Sequence, residues 1–273
     1  MSKTINRGSR PVAFILAILF TLCAISLSTS LTLKCTLLNE RYFTSEIEQA
    51  NIPGQISSDL IEEYGGAISK LGLSSQEIED EIVKPVSDEA VRLIATALYD
   101  SDQLPAIEEN VKTNLNQAVM NALNEWSPTA ASLTQSVVNN AVNSLVGAIH
   151  SKLKLDQLQT IGNTLDSLQD ISTILLYISA TLGIICLIYL LLAASPKTVF
   201  VPLFISGLLI GAAALAANFL QIIPTANTAE IIANFLVQYQ SHIASRLGVV
   251  ALLNGAAALI FGTVSLIIRK IRH

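Results

Sequence analysis

Charged side chains are scarce in this chain of 273 residues, since only 14% are Asp, Glu, Lys or Arg, whereas 51% are hydrophobic. A soluble domain carries about 25% charged residues, so the composition is not typical of a soluble globule. The scarcity is also local, because four long stretches contain no charged residue at all: 11–33, 171–196, 198–229 and 247–268. Each is long enough to cross the apolar core of a bilayer, which takes about 20 helical residues.

Cysteine and histidine are also rare, with three of each. Cys23 and Cys186 fall inside charge-free stretches and Cys35 follows the first one, which excludes a disulfide framework in the rest of the chain. The three histidines are far apart in sequence and have no metal-ligand spacing. Gly-rich phosphate loops and nucleophile elbows are missing. We therefore expect no catalytic residue, no cofactor and no metal site, and the protein is not expected to be an enzyme.

The charge-free stretches predict four transmembrane helices over 11–33, 171–194, 198–221 and 247–268. In the first, the triplet Ser26-Leu27-Ser28 resembles a signal-peptide cleavage site. The apolar run continues beyond it to Leu33, however, and this length favours a signal anchor that is retained. Cleavage after the triplet is the alternative.

The distribution of basic residues predicts the orientation of these spans. Segments 1–10 and 269–273 and the turn at Lys197 hold seven basic residues and no acidic one. The stretch 35–170, in contrast, holds 20 acidic residues against 7 basic ones. Because Lys and Arg beside short loops stay cytoplasmic, we expect both termini in the cytoplasm. The protein is then a multi-pass protein of the cell membrane with residues 36–170 on the outside.

The predicted extracytoplasmic domain, residues 36–170, has the periodicity of a helical bundle. Two apolar stripes follow each other at helical spacing; they are Ile107, Val111, Leu115, Val119, Leu123 and Trp126, and then Leu133, Val137, Ala141, Leu145 and Ile149. Ser74 and Glu77 have capping-box spacing and predict a further short helix up to Lys84. After a break at 152–154 the apolar period continues into the second span, which predicts one long helix.

A second amphipathic segment, residues 224–245, lies between the third and fourth spans. Its apolar residues Ile231, Phe235, Tyr239 and Ile243 recur at a step of four, which predicts an external helix. Such a helix either lies in the outer membrane interface or packs beneath the acidic domain. We favour packing, because the polar side is not rich in Lys and Arg.

Small residues recur in the third and fourth spans and predict close helix packing. The packing residues are Gly207, Gly211, Gly255 and Gly262. Contact within one chain is the first interpretation, and a seam of a homo-oligomer is the alternative. Asn254 lies well inside the fourth span. Because unpaired amides are unfavourable in hydrocarbon, we expect it to bond with Asn218 of the third span.

Amide side chains repeat on the polar sides of the two bundle helices. Asn110, Asn114, Gln117, Asn121 and Asn124 follow steps of four and three, and Gln135, Asn139 and Asn143 do the same on the next helix. A solvated helix surface explains them most simply. A polar ladder between helices or a surface that binds a ligand is the alternative.

In plan, the chain resembles four-span membrane proteins of uncharacterised function from bacteria and archaea. The resemblance rests on one span, a helical external domain, three further spans and a basic tail, and at the residue level on NERYFTSEI, Asn39 to Ile47. Claudin-like tetraspan proteins share the plan, but their paired loop cysteines are absent here. The resemblance implies no activity, cofactor or residue role.

The sequence thus predicts an all-α membrane protein with four transmembrane helices and an extracytoplasmic helical-bundle domain. The leading hypothesis is a structural or interaction protein, a scaffold or assembly subunit of the cell envelope, with the lipid bilayer and another protein as partners. A channel or transporter component is the second hypothesis, and a sensor subunit is the third. The acidic exterior and the membrane location exclude nucleic acid as a natural partner.

Overall fold

A computed structural model describes residues 9–68, 84–126, 128–194, 197–220 and 229–271. Within these ranges the regular structure is helical and contains no strand, as predicted. A short 3₁₀ turn, Ser101–Gln103, and a π-helical segment, Leu190–Ala194, accompany the α-helices. The α-helices are α1 Ser9–Cys35, α2 Glu40–Gln49, α3 Ile52–Ile68, α4 Lys84–Tyr99, α5 Leu104–Trp126, α6 Pro128–Leu153, α7 Leu155–Tyr189, α8 Lys197–Phe219 and α9 Glu230–Ile271.

Four of these helices are long and apolar enough to cross a membrane. The candidate spans are Pro11–Cys35, Leu155–Leu192, Thr198–Phe219 and Glu230–Ile268. Large apolar side chains on them are widely exposed, for example Leu192 at 84% and Leu252 at 75%. Contiguous apolar surface of this kind is rare on soluble proteins and is satisfied by lipid. The chain is therefore an all-helical, multi-pass membrane protein.

The chain divides into two units, which we call the membrane unit and the bundle unit. The membrane unit comprises Met1–Asn39, Leu168–Ile223 and Gln238–His273, and the bundle unit comprises Glu40–Ser167 and Pro224–Val237. In the membrane unit, apolar side chains of α1, α7, α8 and α9 form one core. Its buried members are Phe20, Cys186, Leu190, Val199, Leu203 and Ala258.

The core of the bundle unit is built around α4. This helix buries apolar residues on more than one side, since Val86, Ala90, Leu93, Ile94, Ala97 and Leu98 are all at most 2% exposed. A helix buried in this way is enclosed by its neighbours. Helix α5 contributes Val111 and Leu115 of its predicted stripe, and both are buried.

The stripe predicted for α6 is described at two of its five residues, because the side chains of Leu133, Val137 and Ala141 lie outside the described residues. The structure buries Val138, Val142 and Val146 together with Ile149, whereas Leu145 is only half-buried. The sequence contains apolar pairs at 137–138 and 145–146, so two phases of the same period were available. Ile149 of the predicted stripe is thus buried, and Val138, Val142 and Val146 are buried residues that the prediction did not include.

Helix α9 differs from the prediction of an external helix over 224–245 and a separate span over 247–268. A single helix, Glu230–Ile271, runs through both ranges, because only Arg246 separates them and no proline interrupts the backbone there. Residues 224–228 lie outside the described residues, as does most of the helix predicted from Ser74. Phe235 is buried and meets the ring of Phe43 edge-on at 5.4 Å, so the start of α9 packs within the bundle unit.

The long helix predicted into the second span is present as α7, Leu155–Tyr189. The predicted break before it is also present, because Lys154 adopts a left-handed backbone conformation with φ 51° between α6 and α7. Non-glycine residues rarely adopt this conformation. The break is thus a single residue that ends one helix and sets the direction of the next.

Candidate interaction surface

The amides predicted on the polar side of α5 lie in solvent. Asn110, Asn114, Gln117, Asn121 and Asn124 are all exposed. They point away from the core because Val111 and Leu115 of the same helix are buried. Helical side chains three and four residues apart lie on one side, so the amides form a continuous row along α5.

Helix α6 carries a second row of uncharged polar residues. Ser136, Asn139, Asn140, Asn143 and Ser144 are exposed, while Val138, Val142 and Val146 face the core. We call the exposed amides of both helices the amide surface; its members are Asn110, Asn114, Gln117, Asn121 and Asn124 on α5 and Asn139, Asn140 and Asn143 on α6. The side chain of the predicted Gln135 lies outside the described residues.

The chemistry of the amide surface is unusual for an acidic domain. Protein surfaces carry about 25–35% charged residues, whereas these rows consist of groups that both donate and accept hydrogen bonds without charge. A partner can therefore bind here without the desolvation of an ion, which is unfavourable at an interface. Within the bundle unit, the Asn114 amide donates a hydrogen bond to the carboxylate of Glu89 of α4 at 3.0 Å.

A charged cluster lies where the early part of α5, the end of α6 and the start of α7 meet. His150, in the last turn of α6, has its Nδ1 at 2.5 Å from Glu108 of α5 and its Nε2 at 3.1 Å from Asp156 of α7. Burial lowers the pKa of His150, but the hydrogen bonds to both carboxylates and their negative charges raise it by more. The pKa of His150 therefore lies above its ordinary value of 6.5. Sequence reasoning missed this cluster because its members are 42 and 6 residues apart along the chain.

Within the membrane unit, Asn254 does form a bond between helices, but the predicted partner is wrong. Its amide donates to the Ser28 hydroxyl of α1 at 3.1 Å, whereas Asn218 is exposed on α8. A serine partner is not evident from the sequence, because a serine hydroxyl also bonds readily to the backbone of its own helix. The amide that was expected to need a partner in hydrocarbon thus has one.

Two of the four predicted packing glycines, Gly207 and Gly262, lie where a Cβ would be crowded by another helix, and at Gly211 a Cβ would make an ordinary van der Waals contact. A Cβ atom at Gly207 would lie 3.0 Å from the Ala251 carbonyl oxygen of α9, and one at Gly211 would lie 3.6 Å from the Ala251 side chain. A Cβ at Gly262 would lie 3.1 Å from the ring of Phe200. At Gly255 a Cβ would meet nothing within 4 Å. This glycine contributes only its backbone nitrogen, which lies 3.3 Å from the position of a Cβ at Gly207.

Two further contacts in the membrane unit were not predicted. The Gln240 side chain donates to the carbonyl oxygens of Ala217 and Leu220, both at 2.5 Å, at the end of α8 where helical carbonyls lose their partners. The buried Tyr239 hydroxyl donates to the carbonyl oxygen of Thr36 at 3.1 Å. In the sequence, Tyr239 and Gln240 fit the amphipathic pattern of the helix. The periodicity does not indicate that their side chains bond to the backbone of another segment.

The polar features described above fall into three groups: the amide surface, the His150 cluster and the polar contacts between spans. In the part of the chain that the structure describes, no three His, Cys, Asp or Glu side chains are arranged to hold a metal ion. No protein-family model matches the chain, and comparisons with curated proteins and with solved structures give no significant match.

Proposed function

We propose that this protein is a structural or interaction protein of the cell envelope, a scaffold or assembly subunit that binds a partner through its helical domain outside the cytoplasmic membrane. The observation that carries the proposal is the amide surface on α5 and α6. Its rows of exposed, uncharged side chains extend over several helical turns and offer donors and acceptors at fixed spacing. Rigid helices position such groups more accurately than loops do.

The charge distribution supports an external location for this surface. The cytoplasmic location expected for segments 1–10 and 269–273 follows from their basic residues, and it places the acidic stretch 35–170 outside. Within that acidic stretch, the uncharged amide surface repels an acidic partner protein less than the charged surfaces around it do. The partner in this proposal is a protein of the membrane or envelope.

A channel or transporter component is the second candidate, and Asn254 is the observation in its favour, since polar groups inside spans mark transport pathways. The hydrogen bond to Ser28 gives this amide a role in helix packing instead. Transport proteins also rely on intramembrane ionisable residues, whereas the charge-free stretches of this chain contain none. The interaction role therefore explains the placement of polar groups better.

Complementation of a deletion strain separates the two functions. The double variant Asn121→Asp and Asn143→Asp keeps side-chain size but removes two donors from the amide surface, and we expect it to lose the function. Gln169→Glu is the matched control, an equivalent change at an exposed site of α7 outside the surface. Asn254→Leu should retain function. Loss of function with Asn254→Leu, together with a solute flux in proteoliposomes, would instead establish transport.

A further inference from the structure

A single histidine joins the ends of three bundle helices. His150 belongs to the last turn of α6 and Asp156 to the first turn of α7, while Glu108 lies in the second turn of α5. The ring of His150 lies between the two carboxylates, with one nitrogen facing each of them. The helix ends favour two of these charges, because the protonated His150 is a cation at a helix C-terminus and Asp156 is an anion at a helix N-terminus.

The protonation state of the ring decides how many of these bonds form. An ionised carboxylate only accepts hydrogen bonds, so both ring nitrogens must donate, and only the imidazolium form has two N–H donors. The neutral ring has only one N–H donor. Its other nitrogen presents a lone pair to a carboxylate oxygen, so that hydrogen bond cannot form. Asp156 is the weaker partner, since its distance is 3.1 Å and its side chain is 83% exposed, against 21% for Glu108.

The backbone beside this cluster is a hinge of one residue. Lys154, at φ 51°, separates α6 from α7, and its carbonyl oxygen accepts from the Gln157 amide at 2.9 Å. A left-handed conformation costs a non-glycine residue about 1–2 kcal/mol, so the joint depends on contacts that hold it. Other charges nearby on these elements are Lys152 and Lys154, both exposed, and Glu109, which pairs with Lys112 at 3.5 Å.

We propose that His150 is a pH-sensitive clamp on the joint between α6 and α7. In the protonated state it holds Glu108 and Asp156 together and fixes the start of α7. In the neutral state it releases Asp156, and the first turn of α7 opens more often. This regulation is independent of the partner proposed above, because it follows from contacts within the bundle unit alone.

The direction of the pH effect follows from thermodynamic linkage. The pKa of His150 is raised in the folded state, so the folded state binds the proton more tightly than the unfolded chain does. The clamp is fully present below pH 6.5, the ordinary histidine value, and it is lost as the pH rises through the raised pKa of the folded protein. Mild acid therefore closes the joint and alkaline conditions open it.

Hydrogen–deuterium exchange of the full chain in lipid nanodiscs tests this clamp. Protection factors for residues 150–158, corrected for the intrinsic pH dependence of exchange, should fall by roughly two- to fivefold when His150 loses its proton, as expected for exposed ion pairs. In His150→Gln these factors should no longer change with pH. His242→Gln is the matched control and should behave like the unsubstituted protein.

A second variant keeps the test decisive if His150→Gln does not fold. Asp156→Asn removes the exposed carboxylate, and it should lower the titration midpoint of His150 measured by NMR of the imidazole carbons. Protection factors that do not change with pH in the unsubstituted protein would overturn the proposal. The same conclusion would follow from a pH response that persists in His150→Gln, or from a midpoint unaffected by Asp156→Asn.

Discussion

The side-chain amide of Asn254 donates a hydrogen bond to the hydroxyl of Ser28 at 3.1 Å and so joins the fourth span to the first. Both side chains are half-buried between helices. An amide in hydrocarbon needs such a partner, because water is not available there to replace it. The pair therefore explains a polar residue in the span through helix packing, without a substrate or ion.

The first prediction concerns the strength of this pair. Asn254→Leu and Ser28→Ala should each destabilise the membrane unit, and the double variant should be less destabilised than the sum of the two. Interhelical hydrogen bonds in membranes contribute about 0.6 kcal/mol on average and up to about 1.7 kcal/mol. A double-mutant cycle of unfolding in detergent micelles measures the coupling, and additive effects would show that the bond contributes nothing.

The second prediction compares two glycines of one helix contact. Gly207→Ala should destabilise the fold by about 1–3 kcal/mol, because the added Cβ would meet the Ala251 carbonyl oxygen at 3.0 Å and backbone cannot move aside easily. Gly255→Ala is the control and should not destabilise the fold but raise stability by up to about 0.5–1 kcal/mol, since its Cβ meets nothing within 4 Å. Equal effects in thermal unfolding would contradict the packing described.

The third prediction makes the same comparison in the bundle unit. A Cβ at Gly162 would lie 2.6 Å from the Ala97 carbonyl oxygen and 2.8 Å from that of Leu98, so Gly162→Ala must separate α7 from α4. Gly147→Ala meets nothing within 4 Å and should stabilise α6 by about 0.5–1 kcal/mol. We expect opposite shifts in thermal midpoints followed by circular dichroism, and shifts of the same sign would disprove this account of the contact.

Sequence patterns were sufficient for features that depend on one segment at a time. The spans follow from long charge-free stretches, and the continuous helix α7 follows from an apolar period without a breaker. Gly207 and Gly211 were recognised because small residues at this spacing allow close helix contact. The rows of amides on α5 were placed correctly in solvent, since they lie opposite an apolar stripe.

Features that depend on two distant segments were missed or misassigned. Ser28 as the partner of Asn254, and His150 between Glu108 and Asp156, arise only when helices come together. Gly162 was overlooked for the same reason, because nothing in its own helix indicates that α4 approaches its backbone. The buried Val138, Val142 and Val146 of α6 were not predicted, because adjacent apolar residues allow two phases of the same helical period.

The fourth prediction tests the proposed orientation. Cys35 is exposed at the end of α1, whereas Cys23 and Cys186 are buried in spans. A membrane-impermeant maleimide should therefore label the protein in intact cells, and Cys35→Ser should abolish the labelling. A C-terminal epitope tag should be protected from external protease in the same cells. Labelling that requires lysis, or a tag that is cleaved from outside, would reverse the orientation.

The central claim is that a partner binds the amide surface, and site-specific photo-cross-linking in native membranes tests it most directly. A photoreactive residue at Asn121 or at Asn143 should give a discrete protein adduct that mass spectrometry identifies, whether another protein or a second copy of the chain. The same residue at Asp166, exposed on α7 outside the surface, should not give it. No protein adduct from either amide position, or equal adducts from Asp166, would contradict the claim.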